Sequence, residues 1–165
     1  MTEPRKTSRT LALSVGGMAA LMAALVIYEG DRNVVYLDHT GIPTVCVGVV
    51  KPGLRVGQVF TDAQCRAMEA EHIEKMLARM SKCVTEPIGE RELIAYAHFV
   101  YNVGETAFCR SHLVVRLNEG NHRAACAQMA RWTWAGGKNC RDPANRCMGL
   151  AKRRDYEVNL CMEAL

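Results

Sequence analysis

The sequence predicts an α+β architecture: a small antiparallel sheet lobe, a larger helical lobe, a cleft between the two, and an apolar helix in front of both. Three observations predict it. β-Branched runs broken by turn formers are confined to residues 34–60, apolar residues recur at helical spacing from residue 61 onward, and residues 11–28 run without a single charge. At 165 residues the chain supports about one core, so it divides into residues 1–28 and one domain over residues 29–165.

The first element is "LALSVGGMAALMAALVIY", residues 11–28, preceded by Arg5, Lys6 and Arg9 in "MTEPRKTSRT". As a helix it is about 27 Å long, just enough for the hydrocarbon core of a bilayer. The basic flank predicts a cytoplasmic N-terminus, with everything from Glu29 onward on the far side of the membrane. Eight of its positions are Ala, Gly or Ser. Leu11, Leu13, Val15, Leu21, Leu25, Val26 and Ile27 therefore supply only about −2 to −4 kcal/mol of insertion energy, a weakly held span. A cleaved signal peptide, a permanent anchor and a span that can leave the membrane all fit this pattern. No A-x-A site lies near its end, and cleavage before Glu29 would remove the helix that carries that residue.

Three short strands follow, "VVYL", "TVCVGVV" and "VGQVF", separated by the turn formers of "DHTGIP" and "KPG". Thr61 with Gln64 makes a capping box for a helix whose apolar side is Cys65, Met68, Ile73, Met76 and Met80. Leu93, Ala97, Val100 and Tyr101 mark a helix ending at Gly104, and Leu113, Val114 and Leu117 one ending at Gly120. Residues 124–129, 132–135 and 150–162 are predicted helical as well.

Eight cysteines, all after residue 28 and with no CxxC pair, point to a disulfide framework outside the cytoplasm rather than to structural zinc. Cys140 with Cys147 across a short loop, and Cys126 with Cys161 between predicted helices, are candidate pairs. The net charge of +4 is uneven: Lys138, Arg141, Arg146, Lys152, Arg153 and Arg154 face Asp142 alone over residues 132–154, which favours an anionic partner. The absence of zinc-finger spacing and RNP-like aromatics argues against nucleic acid, and a polyanionic cell-wall polymer fits the charge equally well. His72, His98, His112 and His122 show no ligand spacing, and neither a metal nor a cofactor is expected.

Glu29, Asp38 and Thr44 carry the chemistry. Hydrolysis of a glycosidic bond needs one carboxyl to protonate the leaving oxygen and another, ionised, to activate water or attack the sugar. Glu29, beside Ile27 and Tyr28 at the end of an apolar helix, is placed to keep its proton; Asp38, in a polar hairpin beside His39 and Thr40, is placed to lose it. Thr44, on the next strand, is placed to share a water with Asp38.

The run "EGDRNVVYLDHTGIPTVCVG" resembles the catalytic signature of the phage-type lysozymes, glycoside hydrolase family 24. The likeness continues, in the family's order, at "FVYNVGETAFCRSHLVVRLNEG" (99–120), "CAQMARWTWAGGK" (126–138) and "GLAKRRDYEVNLC" (149–161). It implies a lysozyme-like fold, with Glu29 as general acid, Asp38 as the carboxylate that activates water, Thr44 as the residue that helps hold that water, and peptidoglycan as substrate. In the "GL..RR..E" block it implies structural ion pairs among Arg153, Arg154 and Glu157. The chain departs from the family at Gly48, which Val49 follows where members often have His.

The uncleaved-looking N-terminus is similar to that of the signal-arrest-release endolysins. That likeness implies an inactive form in the host inner membrane and an active, monomeric periplasmic enzyme once the span has left the bilayer. With no cysteine in the span, refolding rather than thiol exchange is the expected activation step. Two alternatives accompany this reading: a catalytically silent, membrane-anchored wall-binding protein and a lytic transglycosylase, which needs the acid but not Asp38.

Overall fold

The computed structural model describes residues 10–165; the basic tip with Arg5, Lys6 and Arg9 lies outside the described residues. Helix α1 spans Val15–Glu29. It is shorter than the uncharged run because Ser14 caps it, its hydroxyl accepting from the Gly17 amide at 3.0 Å. The preceding residues leave the helix, and the Leu11 amide donates to Ser81 Oγ at 2.8 Å. Among the described residues no helix is long and apolar enough to cross a membrane. Instead Leu21 and Leu25 are buried in the core of the helical lobe. At the start of α1, the Ser14 amide donates to Glu90 Oε1 at 2.6 Å, and a Cβ built on Gly17 would stand only 2.5 Å from that same oxygen.

The expected three-stranded sheet is smaller than predicted. Strands β1 (Arg32–Leu37) and β2 (Pro43–Cys46) pair antiparallel, Tyr36 facing Thr44, while the third expected segment forms no regular strand but lies against β1 through a bridge from Val59 to Val34 and backbone hydrogen bonds between residues 57–60 and Asn33 and Val35. After β2 the chain turns sharply back, Val45 bridging to Val49 with Cys46 at φ 56° and Gly48 at φ 76°. A second, minor core of Val35, Val45, Val49, Leu54 and the Cys46–Cys65 disulfide lies under this lobe.

Helix α2 (Asp62–Met80) opens on the predicted capping box between Thr61 and Gln64. Helix α3 (Glu90–Val103) runs through the centre of the helical lobe, burying Leu93, Tyr96, Phe99 and Val100. Gly104, at φ 83°, ends α3 and starts the short α4 (Glu105–Cys109), which the periodicity did not separate. Helices α5 (His112–Asn118) and α6 (His122–Gln128) are capped by Ser111 and Asn121. Residues 132–135, predicted helical, are not: a 3-10 turn at Met129–Arg131 leads into a hairpin of β3 (Trp134–Ala135) and β4 (Lys138–Asn139). Gly136 and Gly137 both take positive φ, as a two-residue hairpin turn demands, and this overrides the helical pattern of the preceding residues. Helix α7 (Met148–Met162) packs along α3. All eight cysteines are paired: Cys126–Cys161 and Cys140–Cys147 as expected, with Cys46–Cys65 and Cys83–Cys109 besides.

Candidate active site

Asp38 follows the last residue of β1 and organises the turn to β2. Its Oδ1 accepts from the Thr40 amide at 2.8 Å, the Thr40 hydroxyl at 2.7 Å and the Ile42 amide at 2.9 Å. These donors, the Ile42 amide foremost and the Thr40 hydroxyl next, hold the exposed carboxyl below its ordinary pKa. The turn-forming and ionised readings of Asp38 are therefore the same fact. Among the described residues Oδ2 makes no hydrogen bond.

Thr44 is buried on β2, and its hydroxyl donates to the Ile42 carbonyl at 2.9 Å. That bond uses the hydroxyl proton, so Oγ1 is left as an acceptor. One residue thus joins the pair: the amide of Ile42 serves Asp38 and its carbonyl serves Thr44.

The end of β2 is clamped to the helical lobe by residues that the sequence pattern did not single out for this. Buried Glu69 of α2 accepts the Val47 amide at 3.2 Å, and the Tyr101 hydroxyl of α3 donates to the Val47 carbonyl. Burial raises the pKa of both the Glu69 carboxyl and the Tyr101 phenol.

Glu29 is the last residue of α1, half-buried, with Gly30 capping the helix behind it. The apolar wall expected from its neighbours is not there, since Ile27 points to solvent at 76% exposure. Arg153 of α7, itself nearly buried, takes that place, its Nη1 lying 2.6 Å from Glu29 Oε1. Arg153 also stands over the Tyr28 ring at 5.5 Å and reaches Glu157 Oε1 through Nε at 3.3 Å. Arg154 pairs with Glu157 Oε2 and Asn102, and its Nε donates to the Trp132 carbonyl at 3.1 Å. The ion pairs within the "RR..E" block are present, but the contact from Arg153 to Glu29 had no signal in spacing. Arg153 and Arg154 are therefore turned inward, and Arg141 pairs with Asp155 at 2.7 Å, so the basic run is a smaller exposed patch than its composition suggests.

Of the two tryptophans, Trp132 packs edge-on against Phe99 with ring centroids 5.4 Å apart, while Trp134 is exposed. His122 bonds Glu92 at 2.8 Å, and His98 is fully buried against Glu157. Glu92, Cys126 and Cys161 bring three ligand-type atoms together, but the two sulfurs are joined in one disulfide and offer no thiolate.

A carboxyl at a helix end, and a hairpin that orients a second carboxylate and a threonine acceptor, supply the groups that hydrolysis of a glycosidic bond uses. The sequence model of the phage lysozyme family matches residues 26–157, and the chain belongs to that family. It is 30% identical to a protein named SAR-endolysin from Enterobacteria phage PA-2, across 96% of this chain and 97% of that one. It is 31% identical to the SAR-endolysin of bacteriophage PS119, across 96% and 95%. A solved P22 lysozyme mutant superimposes with a TM-score of 0.74 at 26% identity, covering 92% of this chain and 99% of the other. The protein is a phage lysozyme, a muramidase of the glycoside hydrolase class.

Proposed function

We propose that this lysozyme is a signal-arrest-release endolysin that hydrolyses the β-1,4 bond between N-acetylmuramic acid and N-acetylglucosamine in host peptidoglycan. Glu29 protonates the leaving oxygen, and Asp38 activates a water that Thr44 helps to hold. One arrangement carries the reading. Ile42 serves Asp38 through its amide and Thr44 through its carbonyl, so the hairpin leaves each side chain with a free acceptor, and in this reading one water bridges the two. A water donating to each of them keeps a lone pair free to attack the anomeric carbon. Arg153 forms an ion pair with Oε1 of Glu29, which leaves Oε2 to carry the proton that is transferred.

In this reading residues 1–28 are the anchor and residues 29–165 the muramidase domain, and α1 changes allegiance between two states. In the first, the span lies in the host inner membrane with the domain in the periplasm. In the second, α1 docks on the domain and the enzyme is a soluble periplasmic monomer. The energies support such an exchange: burying Leu21 and Leu25 contributes roughly 3–6 kcal/mol, comparable to the about 2–4 kcal/mol that the apolar run gains in lipid. The relatives named SAR-endolysin, matched over nearly their whole length, support the same reading.

The test is culture turbidity in a Gram-negative host expressing the full chain, before and after a membrane-depolarising agent, beside Glu29→Gln at equal expression. Abrupt clearing of the unmutated culture alone is the expected result. Equal clearing of the two cultures removes Glu29 as the acid, and clearing of neither removes the release mechanism.

A further inference from the structure

His98 lies in the middle of α3, wholly buried, and no sequence motif marks it. Its Nδ1 lies 2.7 Å from Glu157 Oε1. A carboxylate oxygen at that distance requires a donor, so Nδ1 carries the proton. Nε2, also buried, has no hydrogen-bond partner among the described residues. The imidazole is set between two tyrosines, its centroid 5.1 Å from Tyr28 and 5.3 Å from Tyr156, both edge to face.

Two routes run from this ring to the acid. Through Glu157, His98 shares one oxygen with Arg153 Nε, and Arg153 Nη1 in turn lies 2.6 Å from Glu29 Oε1 as an ion pair. Through Tyr28, it seats the residue next to Glu29 in the chain, and the same tyrosine ring lies beneath the Arg153 guanidinium.

We infer that His98 is a positioning residue for the acid: it fixes Glu157, and thereby Arg153, and it seats Tyr28, so that the Glu29 carboxyl is held in one orientation toward the scissile bond. The inference rests on Glu29 being the proton donor. It assigns to a buried histidine on one helix the aim of a carboxylate on another.

The experiment measures kcat and KM of the released, disulfide-intact full chain on solubilised, uncrosslinked peptidoglycan strands, with thermal unfolding in parallel. His98→Phe keeps a ring against Tyr28 and loses the donor to Glu157; His98→Asn keeps a donor and loses the ring. A misaimed acid lowers kcat while leaving KM within about twofold, and for His98→Phe the expected fall is roughly ten- to a hundredfold. His98→Asn should recover part of that loss even where it is the less stable of the two. Unchanged kcat in a folded His98→Phe overturns the inference, as does activity that merely follows Tm. If His98→Phe does not fold, the isosteric Glu157→Gln must show the same kcat loss at constant KM. Failure of both to fold marks the cluster as structural and also overturns the inference. Glu29→Gln separates the two levels: should it stay active, the acid reading falls, whatever His98 does.

Discussion

The hairpin that carries Asp38 and Thr44 and the helix end that carries Glu29, the two halves of the proposed site, are built by opposite means. The hairpin is local: every bond that orients its two side chains begins and ends between residues 38 and 44. The helix end is assembled from far apart, with Glu29 on α1, Arg153 and Glu157 on α7, and His98 on α3. A site half made by a turn forms whenever the turn forms. A half made by packing exists only while α1 is docked, so in the proposed mechanism control of activity belongs to the helix half alone.

The largest effect that tests this division is on turnover. Glu29→Gln and Asp38→Asn are each expected to lower kcat by roughly 10²–10⁴-fold with little change in Tm. If Asp38→Asn stays active and its products end in an anhydro ring rather than a reducing end, the hairpin half is dispensable and the chain is a lytic transglycosylase. The next effect is on stability: Leu25→Ala, in the buried face of α1, should cost the released form about 2–5 kcal/mol in denaturant unfolding. Leu37→Ala, on the exposed side of the hairpin, should stay within about 0.5 kcal/mol. Equal losses from the two would abolish the contrast between a docked half and a local one.

The smallest effect is on the pH profile. Thr40→Val removes a hydroxyl that helps hold the Asp38 carboxyl below its ordinary pKa. The carboxyl then takes up its proton at a higher pH, and activity on soluble glycan strands should fall away sooner on acidification. A superimposable acid limb would show that Asp38 does not govern it.

Short-range grammar is what the sequence states openly. The Thr61–Gln64 capping box and the stops at Gly104 and Gly120 were legible, because each depends on residues a few positions apart. So was Asp38 as a polar turn residue. Failures came where a distant or stereochemical fact decided. Trp132 and Trp134 sit in what reads as a helix, yet the paired glycines after them impose a hairpin. The wall beside Glu29 reads as Ile27 and Tyr28, but the helix turns Ile27 outward and α7 brings a guanidinium instead. The clamp of Glu69 and Tyr101 on Val47 joins three elements and has no periodic signature. Cys126–Cys161 was accessible because both ends lie on recognisable helices; Cys46–Cys65 joins a strand end to a helix, and its partners could not be chosen among the eight.

The glycine at position 17 has a meaning that differs between oil and water. In a bilayer a methyl group there would be welcome, adding apolar surface and improving the helix. On the folded domain the same methyl would meet the Glu90 carboxylate, which has to shift from the position in which it accepts the Ser14 amide. Gly17→Ala is therefore a one-carbon vote between two homes for the same helix: it weights residence in lipid, and a phage carrying it would be expected to lyse late.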